Sequence, residues 1–169
     1  DVPCLQQPVA EGREPYRRSR ARGWRGSLLH NIGVFVGLRA HHKHAQYLIQ
    51  ASDIFGLSSD DRAIIANVAR YHRRGLPQQS HLPYMALDRT ERVRVNKLAA
   101  LLRIANALDA EHGQKVQDLH VKAADGAWLL DVQGIGDLAM ERRKVEARCD
   151  LFHDVFGRTL SWRGAGVQP

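Results

Sequence analysis

The chain has 169 residues, 44% of them hydrophobic, with a formal net charge of +7 and a sequence pI near 9.9. That apolar content can bury one proper core, as a compact domain with at most a small appendage. No apolar run is long enough to span a bilayer and no signal-peptide pattern opens the sequence, so no membrane-spanning helix is expected.

The two cysteines, Cys4 and Cys149, stand far apart and make no disulfide framework, which fits a reducing cytoplasm. The basic balance favours a polyanionic partner: nucleic acid, a nucleotide, polyphosphate or an acidic protein surface. The plain alternative is a solvated basic face with no ligand.

Residues 1–26 differ from the rest. They carry Pro3, Pro8, Pro15 and the arginines 13, 17, 18, 20, 22 and 25, few aliphatics and no histidine. No helical or strand period is visible, so an irregular arm is expected. Such an arm can grip phosphates, although a loosely held terminus is the commoner reading.

Residues 28–38 predict a short, largely buried helix in which Gly33 and Gly37 permit close packing. A second helix is expected over 42–51, with Ala45, Leu48, Ile49 and Ser52 on one face and a histidine-rich polar side. Ser58, three residues before Asp61 and with Asp60 beside it, predicts a capped helix start with acid in the first turn. That helix should turn Ile64, Ile65, Val68 and Ala69 inward and end in the basic run Arg70–Arg74, with Gly75 and Pro77 as its stop.

After a loop over 75–87, Asp88 and Glu91 open the longest predicted helix. Leu98, Leu101, Leu102, Ala105 and Leu108 form its expected core stripe and Gly113 ends it. The character then changes. Residues 119–122 and 128–132 alternate around Ala124-Asp125-Gly126, which predicts a β-hairpin. Residues 137–156 read as one further helix with Leu138, Val145, Cys149, Phe152 and Phe156 on one side, Cys149 as a core residue, and 159–162 as a closing strand. The expected fold is mainly α: an irregular arm over 1–26, a helical domain over 27–113, and a small α+β subdomain over 116–163.

The chemistry concentrates in histidine. His30, His41, His42 and His44 fall within fifteen residues, and His72 and Asp109 follow. A metal-dependent phosphohydrolase needs carboxylates to bridge its metals and neutral imidazoles to fix them. Here the residue beside His30 is Asn31, a neutral amide. Imidazoles flanked by Arg39, Lys43, Arg70, Arg73 and Arg74 suit an anion better than a cation, with a purely structural cluster or a functional metal site as the alternatives. No glycine-rich phosphate loop, G-x-S-x-G elbow or H-E-x-x-H motif is present. Tyr71, between basic residues, could stack on a nucleic-acid base, but no nucleic-acid fold signature accompanies it.

LLHNIG at 28–33, HHKHAQYLI at 41–49, the turn SDIFGLS at 52–58, ARYHRRG at 69–75, KLAALLRIANALD at 97–109 and LFHDVFGRTL at 151–160 follow one another in order. In this the chain, over residues 26–162, resembles the C-terminal part of the exopolyphosphatase/guanosine pentaphosphate phosphohydrolase (Ppx/GppA) family, a divergent relative of the HD phosphohydrolase helical domain. The resemblance implies an HD-like helical domain that packs against an actin-like catalytic module, helps to bind long polyphosphate and forms a dimer. That module, which carries the phosphate chemistry and uses Mg2+ in the full-length enzyme, has no counterpart in these residues and would act in cis or in trans. An HD site resembles His, then His-Asp, then a late Asp after Ala. Here those positions read His30-Asn31 and Ala105-Asn106, leaving a degenerate set of His30, Asn31, His72, Asn106 and Asp109.

The expected function is therefore that of a cytoplasmic, non-catalytic, homodimeric domain helping to bind polyphosphate or guanosine pentaphosphate, with no metal or cofactor of its own. Its expected phosphate contacts are His30, His42, His44, Arg70, His72, Arg73 and Arg74. The rival readings are a self-sufficient metal phosphohydrolase using His30, His42, His44, His72 and Asp109, and a structural dimerisation domain.

Overall fold

The structure, a computed structural model, describes residues 22, 23 and 25–164. It is mainly α with a small C-terminal α+β part, and the described chain forms two compact units that divide between Arg103 and Ile104. Most of the expected arm lies outside the described residues. Its last part is not irregular: residues 25–29 are helical, and the buried Arg22 pairs with Asp61 at 2.5 Å.

The first unit departs from expectation at once. In place of one helix over 28–38, the helical stretch ends at residue 29 and only a 3-10 turn, Ile32–Phe35, follows. Gly33 explains why. A Cβ there would overlap the backbone carbonyl of His41 and the amide of Ala45, so two backbones touch at this point and the chain must turn across the segment 41–45 instead of running on as a helix. A Cβ added at Gly37 would meet nothing within 4 Å. The segment is not largely buried either: Phe35 is 94% exposed, and Val36 and Leu38 also face solvent.

Helix α1 spans His41–Ala51 and starts from Ala40, held in the left-handed region at φ 58°. Ala45 and Ile49 are its buried face. Helix α2, Ser59–Arg70, begins as its sequence requires. Ser58 accepts the Asp61 amide at 3.1 Å, and burial, which would raise the Asp61 carboxyl, is outweighed by Arg22 and Ser58, so the group is held below its ordinary value. Ile65, Ala66 and Ala69 pack with Ala45 and Ile49, and Leu29, Ile54 and Leu57 close over them. The loop after it holds a single helical turn, α3, Leu82–Met85.

Helix α4, Arg89–Leu108, opens with a reciprocal capping box: Asp88 accepts the Glu91 amide at 2.7 Å and Glu91 accepts the Asp88 amide at 3.2 Å. Its buried stripe is rotated from the expected one. Val95, Ala99, Leu102, Arg103 and Ala107 are inside, while Leu101 is 50% exposed and Ala105 faces water. The arginine inside is the reason, because a side chain that finds two carbonyls to bind can replace leucine on a core face.

The second unit is built on β1, Val116–Ala124, paired antiparallel with β2, Ala127–Gly134, around Gly126 at φ 70°. The expected single helix over 137–156 is two, α5 (Ala139–Glu146) and α6 (Asp150–Phe156). Cys149 stands at the break as the residue before α6, half-buried and with its thiol donating to the Glu146 carbonyl, so it is not the helix-face core residue expected. The closing strand β3, Thr159–Gly164, pairs parallel with β2. Leu130, Val132, Val145, Leu151 and Phe152 are the buried apolar residues on these elements.

Candidate functional site

The first unit gathers three of the histidines. His72 sits just beyond α2, 1% exposed, and the His41 ring at the start of α1 faces it, Nε2 to Nε2 at 3.3 Å. The His30 ring stands edge-on to His72 with centroids 4.9 Å apart. In each ring Nδ1 lies against the carbonyl three residues earlier: His30 against Ser27 at 2.5 Å, His41 against Leu38 at 3.1 Å and His72 against Ala69 at 2.6 Å. A carbonyl can only accept, so Nδ1 carries the proton in all three rings.

Burial pushes the His72 imidazole down to about 3, with the neighbouring His30, His41 and His42 adding to the effect against the Ala69 carbonyl. His42 is pushed down to about 4, first by desolvation and then by Arg70, His41, Arg73 and Lys43. Its Nδ1 is buried without a hydrogen-bond partner among the described residues. Near neutral pH both rings are uncharged.

Two side chains that sequence reasoning missed hold this region in place. Asn67, fully buried, donates to the carbonyls of Ala63 and Pro83 and accepts from Gln46, tying α1, α2 and the loop before α4 together. Arg103, also fully buried, binds the carbonyls of Tyr71 and Gly75, which follow the end of α2. Nothing in an asparagine or an arginine at helix spacing marks it as buried in advance. Tyr71 is buried as well, pushed up to about 12 by that burial, with its hydroxyl at 2.8 Å from His81 Nδ1. It therefore cannot stack on a base.

The cations collect elsewhere. Lys43, Gln46, Arg70, Ser80 and His81 line a shallow, open depression of about 360 Å3 with no carboxylate among the described residues of its wall. Partial desolvation, then Arg70 and Lys43, hold His81 below its ordinary value. Of the seven expected phosphate contacts only Arg70 reaches this depression. His42 and His44 lie half-exposed on α1, Arg73 and Arg74 are exposed just past Tyr71, and His72 is enclosed. Asn106 and Asp109 belong to the second unit, where Asp109 accepts the Gln114 amide at 2.9 Å and faces His112 at 3.9 Å. Mg2+ takes oxygen ligands, so a cluster of imidazoles beside Asn31 does not fit it.

A helical body with a clustered histidine centre and a small mixed sheet is the class of domain that these observations define. The family model described as Ppx/GppA phosphatase, domain III, matches residues 6–140, and the chain belongs to that family. No helix among the described residues is long and apolar enough to cross a membrane.

Proposed function

We propose that this chain is a non-catalytic domain of a Ppx/GppA-type phosphohydrolase that binds the phosphate groups of polyphosphate or guanosine pentaphosphate in the cytoplasm. The observation that carries the reading is the depression between α1 and the loop after α2, where Lys43 and Arg70 stand with Ser80 and His81 and no acid opposes them. Lys43 and Arg70 supply charge, Ser80 a hydroxyl donor, and Arg73 and Arg74 extend the basic surface past Tyr71. The uncharged His42 offers a hydrogen bond and no charge. Hydrolysis belongs to an actin-like module in cis or in trans, because the positions of an HD metal site read Asn31 and Asn106 here.

The exposed run of Val34, Phe35, Val36 and Leu38 favours an assembly role beside this one, as packing surface toward that module or a second copy. The test is titration of the intact chain with labelled inorganic polyphosphate. Affinity should fall steeply between about 50 mM and about 200 mM salt, as release of condensed counterions requires. Lys43→Glu combined with Arg73→Glu and Arg74→Glu should weaken binding by about tenfold or more, each tenfold being about 1.4 kcal/mol. Unchanged affinity in that variant would remove the surface and leave the assembly role alone.

A further inference from the structure

The contact between His41 and His72 poses a chemical question. Each Nδ1 donates its proton to a backbone carbonyl, His41 to Leu38 and His72 to Ala69. In the neutral ring the second nitrogen then carries a bare lone pair. Yet these two nitrogens face each other at 3.3 Å, with nothing between them to donate. Two acceptors at that distance repel unless a positive centre is shared between them.

The geometry points to a transition-metal ion of the zinc class held between His41 Nε2 and His72 Nε2. Three features support it. Zinc–imidazole bonds of about 2.0–2.1 Å at a tetrahedral angle place the two nitrogens about 3.3–3.4 Å apart, which is the separation here. A ligating histidine is ordinarily fixed by donating its other N–H to a carbonyl or carboxylate, and both rings do so. The site also offers nitrogen and no carboxylate, which suits zinc, cobalt(II) or nickel(II) and not magnesium.

No group of three His, Cys, Asp or Glu side chains among the described residues forms a metal site, so the protein supplies two ligands and the remaining positions are left to water or an anion. His41, unlike His72, is only partly buried, which gives the ion a way in. His72 belongs to the degenerate HD set and its ring stands 4.9 Å from that of His30, but the carboxylate positions of that pattern read Asn31 and Asn106, so the ion would be bound without forming a hydrolytic centre.

The experiment is a titration of the untagged, full chain with cobalt(II), read by its visible ligand-field bands and by displacement with zinc. Near-stoichiometric binding is expected, with His41→Gln weakening it at least tenfold and His112→Gln, at an exposed histidine of the second unit, leaving it unchanged. His72→Gln should act likewise, and because that side chain is buried, the more exposed His41→Gln variant keeps the test valid if His72→Gln does not fold. Imidazole nitrogen resonances give an independent readout: added zinc should shift Nε2 of both rings and leave Nδ1 protonated. Absence of cobalt bands, equal affinity in His41→Gln, or a protonated Nε2 that zinc does not displace would overturn the assignment and leave a shared proton in its place. Polyphosphate affinity in the same variants separates this site from the Lys43–Arg70 surface.

Discussion

The buried guanidinium of Arg103 donates through Nε to the carbonyl of Tyr71 at 2.8 Å and through a terminal nitrogen to Gly75. These carbonyls follow the last turn of α2, where no further helical amide is available to them, and a cation is the natural partner for such groups. The same contact holds the backbone on either side of His72, the buried member of the histidine cluster.

Arg103→Met keeps the stem and removes both bonds. It should destabilise the chain by about 2–4 kcal/mol, since hydrogen bonds from a charged donor are worth about 1.5–3 kcal/mol each and some of this is recovered by the apolar replacement. Urea unfolding of the two proteins measures the difference. A loss under about 0.5 kcal/mol would show that other groups hold this segment.

Gly33 and Gly37 should respond oppositely to alanine. The Gly33→Ala methyl would meet the His41 carbonyl and the Ala45 amide, and backbone cannot yield as a side-chain tip can. A cost of about 1–3 kcal/mol is expected. Gly37→Ala meets nothing within 4 Å and should be neutral or slightly stabilising, by about 0.4–1 kcal/mol at most. Thermal unfolding of the pair gives the sign of each.

Acid should destabilise the fold well above the carboxylate range. His72 and His42 are lowered from 6.5 to about 3 and about 4, so the unfolded chain takes up protons that the folded chain refuses. Stability is therefore intact above about pH 6.5 and is lost progressively as pH falls toward the folded values, by at most about 1.4 kcal/mol per pH unit for each group. Among the described residues the charged groups acting on His72 are His30, His41 and His42, with no acid to offset the charge. Urea midpoints at pH 7.5, 6 and 5 measure the slope, and His42→Gln should flatten it. An unaltered slope in that variant would show that His42 titrates normally.

The capping box of α4 carries its own test. Asp88→Ala removes the acceptor of the Glu91 amide and should cost about 1 kcal/mol. The same change at the exposed Asp125 of the hairpin turn serves as the control, since its carboxylate caps no helix.

Part of this protein was legible in its sequence because the relevant forces are local. Ser58 with Asp61 and Asp88 with Glu91 announce helix starts through bonds that span three residues, and Asp125-Gly126 announces the hairpin through the backbone freedom of one glycine. The ordered motifs from LLHNIG to LFHDVFGRTL were equally visible, and with them the family. What local rules could not supply was decided by tertiary contact. Gly33 ends a helix because another backbone lies against it, a fact written at His41 and Ala45 and not in its own neighbours. Arg103 and Asn67 belong to the interior because carbonyls from distant segments are there to bind them, which rotates the buried face of α4 away from Leu101 and Ala105. The histidines were countable from the start, but folding alone decided that His30, His41 and His72 share a centre and that the cations Lys43 and Arg70 share a different one. Hydrogen bonds within a turn are determined by spacing; burial and convergence are determined by which segments meet.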